Sequence, residues 1–311
     1  MTNYKNIFEF DIALVHNWEY DLDFILWIES EAKKNGLTVL IVKENNIAEV
    51  LKNVENESYH IKFLFDRASD TSPVFIPLQN KILLNGDYVI DTIDRVRWAS
   101  DKATMHLEFI SAGIRTPYTI ILPPHRQDEI LRLSIAELAV LGRSFIIKPA
   151  NTTGGGIGVV DGAETLQDII NARKHFRDDK YLLQEKIVPL EKEGRRFWFR
   201  IFYSFGHILF TWWDNQTHVY TITKPEEIED FQLSHLYPVV EKIHQISKLN
   251  FFSTEIALNS NSQFVVVDYI NEACDMRLQS RYYDGVPDIL IGTIIRNLVD
   301  FIKTGLDKKN I

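Results

Sequence analysis

Hydrophobic positions in the first part of the chain switch between two periods. Residues 8–15 (FEFDIALV), 37–42 (LTVLIV) and 60–66 (HIKFLFD) are short apolar or alternating runs that suit strands. Between them, Leu22, Ile25, Leu26 and Ile28 fall at helical spacing among acids and lysines across 22–34; Asn35-Gly36 stops that helix, and 47–54 gives another. This alternation predicts a small parallel sheet covered by helices over roughly the first 95 residues. Further on, 91–107 reads as one helix containing Asp101 and Lys102, and Gly113-Ile114-Arg115-Thr116-Pro117 as a helix stop followed by a strand. Residues 128–141, 163–176 and 288–303 read as helices. Residues 181–188 read as a strand, and 253–258 with 264–270 as a hairpin closed by the turn-rich 259–262.

Within this pattern the stretch 144–158, SFIIKPANTTGGGIG, stands out. A strand delivers Lys148, a proline follows, and a loop carrying Gly154, Gly155, Gly156 and Gly158 comes next. Glycine tolerates positive φ and lets consecutive amides turn toward one anion, and a lysine adds a point charge for the same oxygens. The spacing is neither that of a P-loop nor that of a Rossmann turn.

Composition narrows the classes. The chain has 311 residues, 45% of them hydrophobic, enough for two or three units with packed cores. A formal net charge of −9 argues against a nucleic-acid or anionic-membrane surface. The single cysteine, Cys274, excludes an intrachain disulfide and reads as a small buried apolar residue, which fits a reducing cytoplasm. The first residues, MTNYKNIFEFD, lack the basic region of a signal peptide, and no run of about 18 apolar residues occurs, so a cytoplasmic location is expected.

Other candidate chemistry is scattered. In an extended strand Arg196, Trp198 and Arg200 share one face and Phe197, Phe199 and Ile201 the other. The two arginines suit phosphoryl charge or a substrate carboxylate, or else a solvent-facing edge. The hairpin brings Glu255 near Asp268 and Asn271, oxygen ligands of the kind Mg²⁺ takes. Arg277 and Arg281 suit a substrate anion or a salt bridge with Asp275 and Asp284. His16 and Arg67, at strand ends, are either cleft residues or ordinary loop residues.

Four segments, 101–122 (DKATMHLEFISAGIRTPYTIIL), 144–158, 181–202 (YLLQEKIVPLEKEGRRFWFRIF) and 251–277 (FFSTEIALNSNSQFVVVDYINEACDMR), together resemble the ATP-grasp superfamily in collinear order. Within it the chain is similar to carboxylate-amine ligases of the D-alanine:D-alanine ligase, glutathione synthetase and ribosomal-protein modification type. The resemblance implies an α/β fold, α+β in its nucleotide-binding part: an N-terminal parallel α/β domain over 1–97, a central lobe with the glycine loop over 98–183, and a C-terminal lobe with the metal site over 184–311. It implies that Lys102, Lys148 and the loop glycines contact ATP phosphates. Glu185, Lys186, Ile187 and Val188 would form the adenine hinge, with Glu191 or Glu193 on the ribose. It implies Mg²⁺, with Mn²⁺ as alternative, on Glu255, Asp268 and Asn271, and Arg196, Arg200 and Arg277 as catalytic. The family's second metal strand ends Glu-x-Asn, whereas here Tyr269 holds the acid's place. Asp268 then faces away unless the strand twists or bulges, with Glu272 or Asp275 as substitutes.

The activity implied is ATP-dependent joining of a carboxylate to an amine through an acylphosphate. A small-molecule kinase and a nucleotide-binding protein with little catalysis are the alternatives. Small-molecule or peptide carboxylate and amine substrates are expected, with a homodimeric assembly and no nucleic-acid or membrane partner.

Overall fold

The computed structural model describes residues 7–125, 131–151, 156–192 and 194–309. The first unit contains β1 (Phe8–His16), α1 (Leu22–Lys34), β2 (Val39–Val42), α2 (Ile47–Glu55), β3 (Tyr59–Arg67), α3 (Ile76–Leu84) and β4 (Tyr88–Ile90). Its strands pair in parallel in the order β2-β1-β3-β4. Alternate residues of β1 serve two cores, as period-two side chains must. Ala13 and Val15 pack with Val50 and Leu78 of α2 and α3, while Ile12 and Leu14 pack with Ile25 of α1.

Two short helices, α4 (Ile93–Ser100) and α5 (Lys102–Ser111), lead out of this unit. The single helix expected over 91–107 is broken at Asp101, whose backbone is extended and whose carboxylate caps α5 by accepting from the amides of Ala103 and Thr104 at 3.0 and 3.2 Å. An aspartate that satisfies orphan amides is worth about 1 kcal/mol there. The break puts Lys102 on the first turn of α5.

A four-stranded antiparallel sheet follows, built from β5 (Thr119–Leu122), α6 (Ile135–Leu141), β6 (Phe145–Pro149), β7 (Val160–Ala163), α7 (Leu166–Ala172) and β8 (Tyr181–Glu185), in strand order β5-β8-β6-β7. The helices expected over 128–141 and 163–176 are shorter than their apolar patterns; Ser134 and Thr165 start them with capping boxes. Residues 126–130 lie outside the described residues.

The last part has a two-stranded hairpin, β9 (Glu191–Lys192) and β10 (Arg195–Arg196). A five-stranded antiparallel sheet follows from β11 (Trp198–Ser204), β12 (His207–Trp213), β13 (Tyr220–Ile222), α8 (Pro225–Asp230), α9 (Tyr237–Ser247), β14 (Phe251–Leu258) and β15 (Phe264–Asn271). Its order is β13-β12-β11-β14-β15. The long α10 (Asp288–Lys309) returns to the first unit, where Ile291, Ile295 and Leu298 join the core that holds Ile12, Phe63 and Phe251. Among the described residues no helix is long and apolar enough to cross a membrane.

Asp91 fastens the first unit to β14. Just past β4, with φ +55°, its carboxylate accepts from the Asn250 amide (2.6 Å), the Asn250 side chain (3.0 Å) and the Phe251 amide (3.0 Å). Burial pushes this carboxyl from its ordinary 3.8 up to about 6, against those donors. A raised folded pKa gives stability that is fully present below about pH 4 and is lost as pH rises through about 6. A rise from 3.8 to about 6 corresponds to about 3 kcal/mol. Asp91→Asn should therefore change stability relative to the parent by up to that amount between pH 4 and 7, the parent losing more on the way up. Urea midpoints at several pH values measure it, and parallel curves would refute the assignment.

Candidate active site

The two antiparallel sheets approach each other where β6 faces β15. Lys148, near the end of β6, is 7% exposed; its ammonium donates to the Val267 carbonyl at 3.3 Å and lies 3.8 Å from an Asp268 oxygen. The backbone amide of Lys102 donates to the Ala150 carbonyl at 3.1 Å, so the start of α5 is tied to the end of that strand. Burial pushes the Lys148 ammonium down, and Lys102 adds to this against the pull of Asp268 and Glu255.

On the five-stranded sheet, Arg200, Glu255 and Asp268 are register partners across β11, β14 and β15. Arg200 Nη2 meets Glu255 Oε1 at 3.0 Å, and Trp198 Nε1 donates to Glu255 Oε2 at 3.0 Å. Burial raises the Glu255 carboxyl, with Asp268 opposite adding to it against Arg200. Burial also works against the Asp268 carboxylate, yet Lys102, Lys148 and Arg200 outweigh it and hold that group below its usual range.

Asp268 owes its position to β15. Pairing runs Ser253 with Asn271, Glu255 with Asp268 and Ile256 with Val266, with irregularities on both sides of Glu255. Each step adds one residue to β15, the arithmetic of a bulge. Ser253 and Glu255 share a face because they are two apart, so their partners Asn271 and Asp268 also share it. The Asp-x-x-Asn spacing, out of phase on a flat strand, is thereby brought into phase. Tyr269 goes to the opposite face and is fully buried, its hydroxyl 2.6 Å from His106 Nδ1 and accepting from Gln184 Nε2 at 2.8 Å. It is a core residue, and Asp268 stands on the cleft side.

Glycine is required at the far end of the loop. Gly158 has φ +78°, and a Cβ there would stand 2.6 Å from the Phe176 ring. The near end is held by Asn151, whose amide and side chain both donate to Asp179 at 2.8 Å. Gly156 also has positive φ, while Gly154 and Gly155 lie outside the described residues.

The fold is shared with solved structures. A D-alanine–D-alanine ligase from Bacillus anthracis, complexed with ATP, superimposes with TM-score 0.63 over 96% of this chain and 99% of its own, at 13% identity. A RimK domain ATP-grasp protein from Sphaerobacter thermophilus gives 0.60 over 93% and 98%, at 16% identity. The macrocyclase MdnC from Microcystis aeruginosa, bound with its precursor peptide MdnA, gives 0.63 over 94% and 99%, at 12% identity. The chain has the ATP-grasp fold. No family model and no curated protein matches the sequence itself.

The remaining residues expected on an ATP-grasp scaffold are placed as follows. β8 ends at Glu185, short of the strand expected to Val188, and residues 186–188 belong to no strand. The Glu185 carboxylate accepts from the Tyr118 amide at 3.1 Å, Lys186 pairs with Asp161 at 2.7 Å, Ile187 packs on the core and Val188 is exposed. Beside this peptide a cavity of about 540 Å³ is lined by Val188, Glu191, Arg196, Trp213 and Thr221 among others. Arg196, the register partner of Glu191, has its Nη1 buried without a hydrogen-bond partner. Glu193 lies outside the described residues.

Arg277 is clamped between Asp275 (Nε, 2.8 Å) and Asp284 (Nη2, 2.9 Å), and Arg281 pairs with Asp23. This is the salt-bridged alternative, and it also occupies Asp275. Arg67 is buried, holding Asp21 with Nε at 2.9 Å and Nη2 at 2.7 Å and donating to the Cys274 carbonyl. It is neither a free cleft cation nor an exposed arginine. His16 is buried at the end of β1, and burial, with Lys43 nearby, lowers its pKa. Glu272, pushed up to about 7 by burial, lines a small cavity with Asp70 at the seam with the first unit.

Tyr220 and Trp213 hold Arg200 from behind. Arg200 Nη1 donates to the Tyr220 hydroxyl at 3.1 Å, and its guanidinium lies 4.8 Å over the Trp213 ring. Only strand register reveals this, because Thr211, two residues before Trp213, faces Arg200.

Proposed function

We propose that the chain is an ATP-dependent ligase that joins a carboxylate to an amine through an acylphosphate. The observation that carries this reading is the row Arg200–Glu255–Asp268 on one sheet facing Lys148 from the other, with Lys102 close enough to bias Asp268. In this reading ATP lies between the sheets. Lys148, Lys102 and the glycine loop hold its phosphates, residues 185–188 meet the adenine, Glu191 or Glu193 the ribose, and Arg196 and Arg200 the transferred group. Expected units are 1–97, 98–183 and 184–311, with α10 packed back on the first.

Glu255, Asp268 and Asn271 are hard oxygen donors on one face and fit Mg²⁺, or Mn²⁺ in its place. Among the described residues no group of three or more His, Cys, Asp or Glu side chains stands ready for a metal, and a two-carboxylate set leaves room for phosphate oxygens. When bound, the ion supplies neutralisation of phosphate charge. The chain's own work is positioning and electrostatics. A substrate carboxylate oxygen attacks the γ-phosphorus, the bond to the ADP oxygen breaks, and the acylphosphate forms beside the cations. An amine then adds to the acyl carbon, loses its proton to solvent, and expels phosphate.

The product pattern tests this. ADP and phosphate should appear together only with a carboxylate and an amine both present, and hydroxylamine should trap a hydroxamate with the carboxylate alone. Screening amino acids, small carboxylates and peptides singly and in pairs supplies the substrates. A stable phosphorylated product without phosphate release would mean a kinase, and AMP with pyrophosphate would exclude the acylphosphate.

A further inference from the structure

The geometry points to Arg200 as a latch on Glu255 that makes capture of the divalent cation conditional on nucleotide. The inference rests on the reading of Glu255 and Asp268 as metal ligands and adds a binding order to it.

Both Glu255 oxygens already have a donor, Arg200 Nη2 on one and Trp198 Nε1 on the other, each at 3.0 Å. Arg200 is fixed from behind by the Tyr220 hydroxyl and the Trp213 ring, with its side chain 12% exposed and that of Glu255 14%. A cation arriving alone must therefore displace a well-held guanidinium. It must also enter a site where three cations, Lys102, Lys148 and Arg200, already face Glu255 and Asp268, with the half-buried Glu272 beside Lys102 and Asp268. Repulsion between like charges a few ångströms apart is strong where water is excluded. Nucleotide phosphates add negative charge to the site and give the lysines and the arginine other anions to face.

The guanidinium is built for that exchange. Arg67 shows a filled Nε–Nη2 edge, with both nitrogens on the two oxygens of Asp21. In Arg200 the same edge is half used: Nη2 meets Glu255, and Nε is buried without a hydrogen-bond partner. A planar fork with one empty tine is suited to two oxygens of one phosphate once Glu255 lets go. Arg200 thus positions Glu255 before the nucleotide arrives and turns to the phosphate afterwards.

The test is Mn²⁺ binding, read from the free-ion electron spin resonance signal, with and without ADP. The parent should bind Mn²⁺ at least about tenfold more tightly with ADP than without it. Arg200→Gln should bind Mn²⁺ about tenfold more tightly than the parent when ADP is absent, so that the dependence on ADP shrinks. Arg200→Lys, which keeps the charge, should behave like the parent in that respect. If the parent binds Mn²⁺ equally well with and without ADP, the latch is wrong, and that result needs no variant. If the parent requires ADP but a folded Arg200→Gln keeps the parent's weak affinity without it, the latch is also wrong while the metal site stands. Failure of the parent to bind Mn²⁺ even with ADP overturns the metal-site reading and the latch together.

Discussion

Lys148→Ala should weaken ATP binding by about 30- to 4,000-fold, the largest binding effect expected of any single change in this chain. The range follows from the cost of removing one partner of a buried charge pair, about 2–5 kcal/mol, at tenfold per 1.4 kcal/mol. Among the described residues its ammonium is held by the Val267 carbonyl, more loosely by Asp268, and by the Tyr269 ring 5.5 Å away, which leaves it hydrogen-bonding capacity for a phosphate. Burial already disfavours the charged form, which Asp268 and Glu255 help to retain. A phosphate would relieve that strain more than water does. Lys102 is the nearest replacement, but it enters from the helix start and already serves Asp268. Isothermal titration of both proteins with a non-hydrolysable ATP analogue, after circular dichroism has shown equal folding, measures the effect. Equal affinity would remove Lys148 from the phosphate site. Lys148→Arg should restore part of the loss, since charge without exact fit recovers attraction but not geometry.

Much of the frame was legible because it depends on local periodicity. The first unit's β1, α1, β2, α2 and β3 follow from apolar spacing, though α3 and β4 do not, and the face shared by Arg196, Trp198 and Arg200 follows from period two, with Phe199 and Ile201 in the opposite core. What was not legible depends on pairing between distant segments. Tyr269 looked like a lost acid because the bulges that rephase Asp268 and Asn271 show only in the pairing of β15 with β14. Asp101 sits in a pattern that reads as continuous helix, and only its cap bonds and its pairing with Lys180 show the break. The stretch that forms β12, β13, α8 and α9 carried no motif, so the supports of Arg200 were hidden there. For Arg277 the sequence left a substrate anion and a salt bridge with Asp275 and Asp284 both open, and both aspartates pair with it.

Glu255→Gln should lower the rate of paired ADP and phosphate release by about 10³-fold, on the scale of removing one preorganised charge-stabilising group. Glutamine keeps the shape and can still accept from Trp198 Nε1, but it removes the charge that faces Arg200 and the carboxylate oxygen proposed for the cation. Two effects then compete. Loss of a desolvated carboxylate favours the fold, since burial had raised that group's pKa; the unpaired Arg200 disfavours it, and breaking a buried pair commonly costs about 3–5 kcal/mol. Tyr220 and Trp213 still hold the guanidinium, so the net loss should fall below that range, and urea midpoints can separate instability from lost chemistry. Binding of the nucleotide without divalent cation should change little or improve, because the site becomes more positive. A rate that falls while metal-free ADP affinity holds would support Glu255 as a ligand of the reacting centre. A folded Glu255→Gln protein with undiminished turnover would mean that the hairpin is not the metal site, and Asp268 and Asn271 would lose their assignment with it.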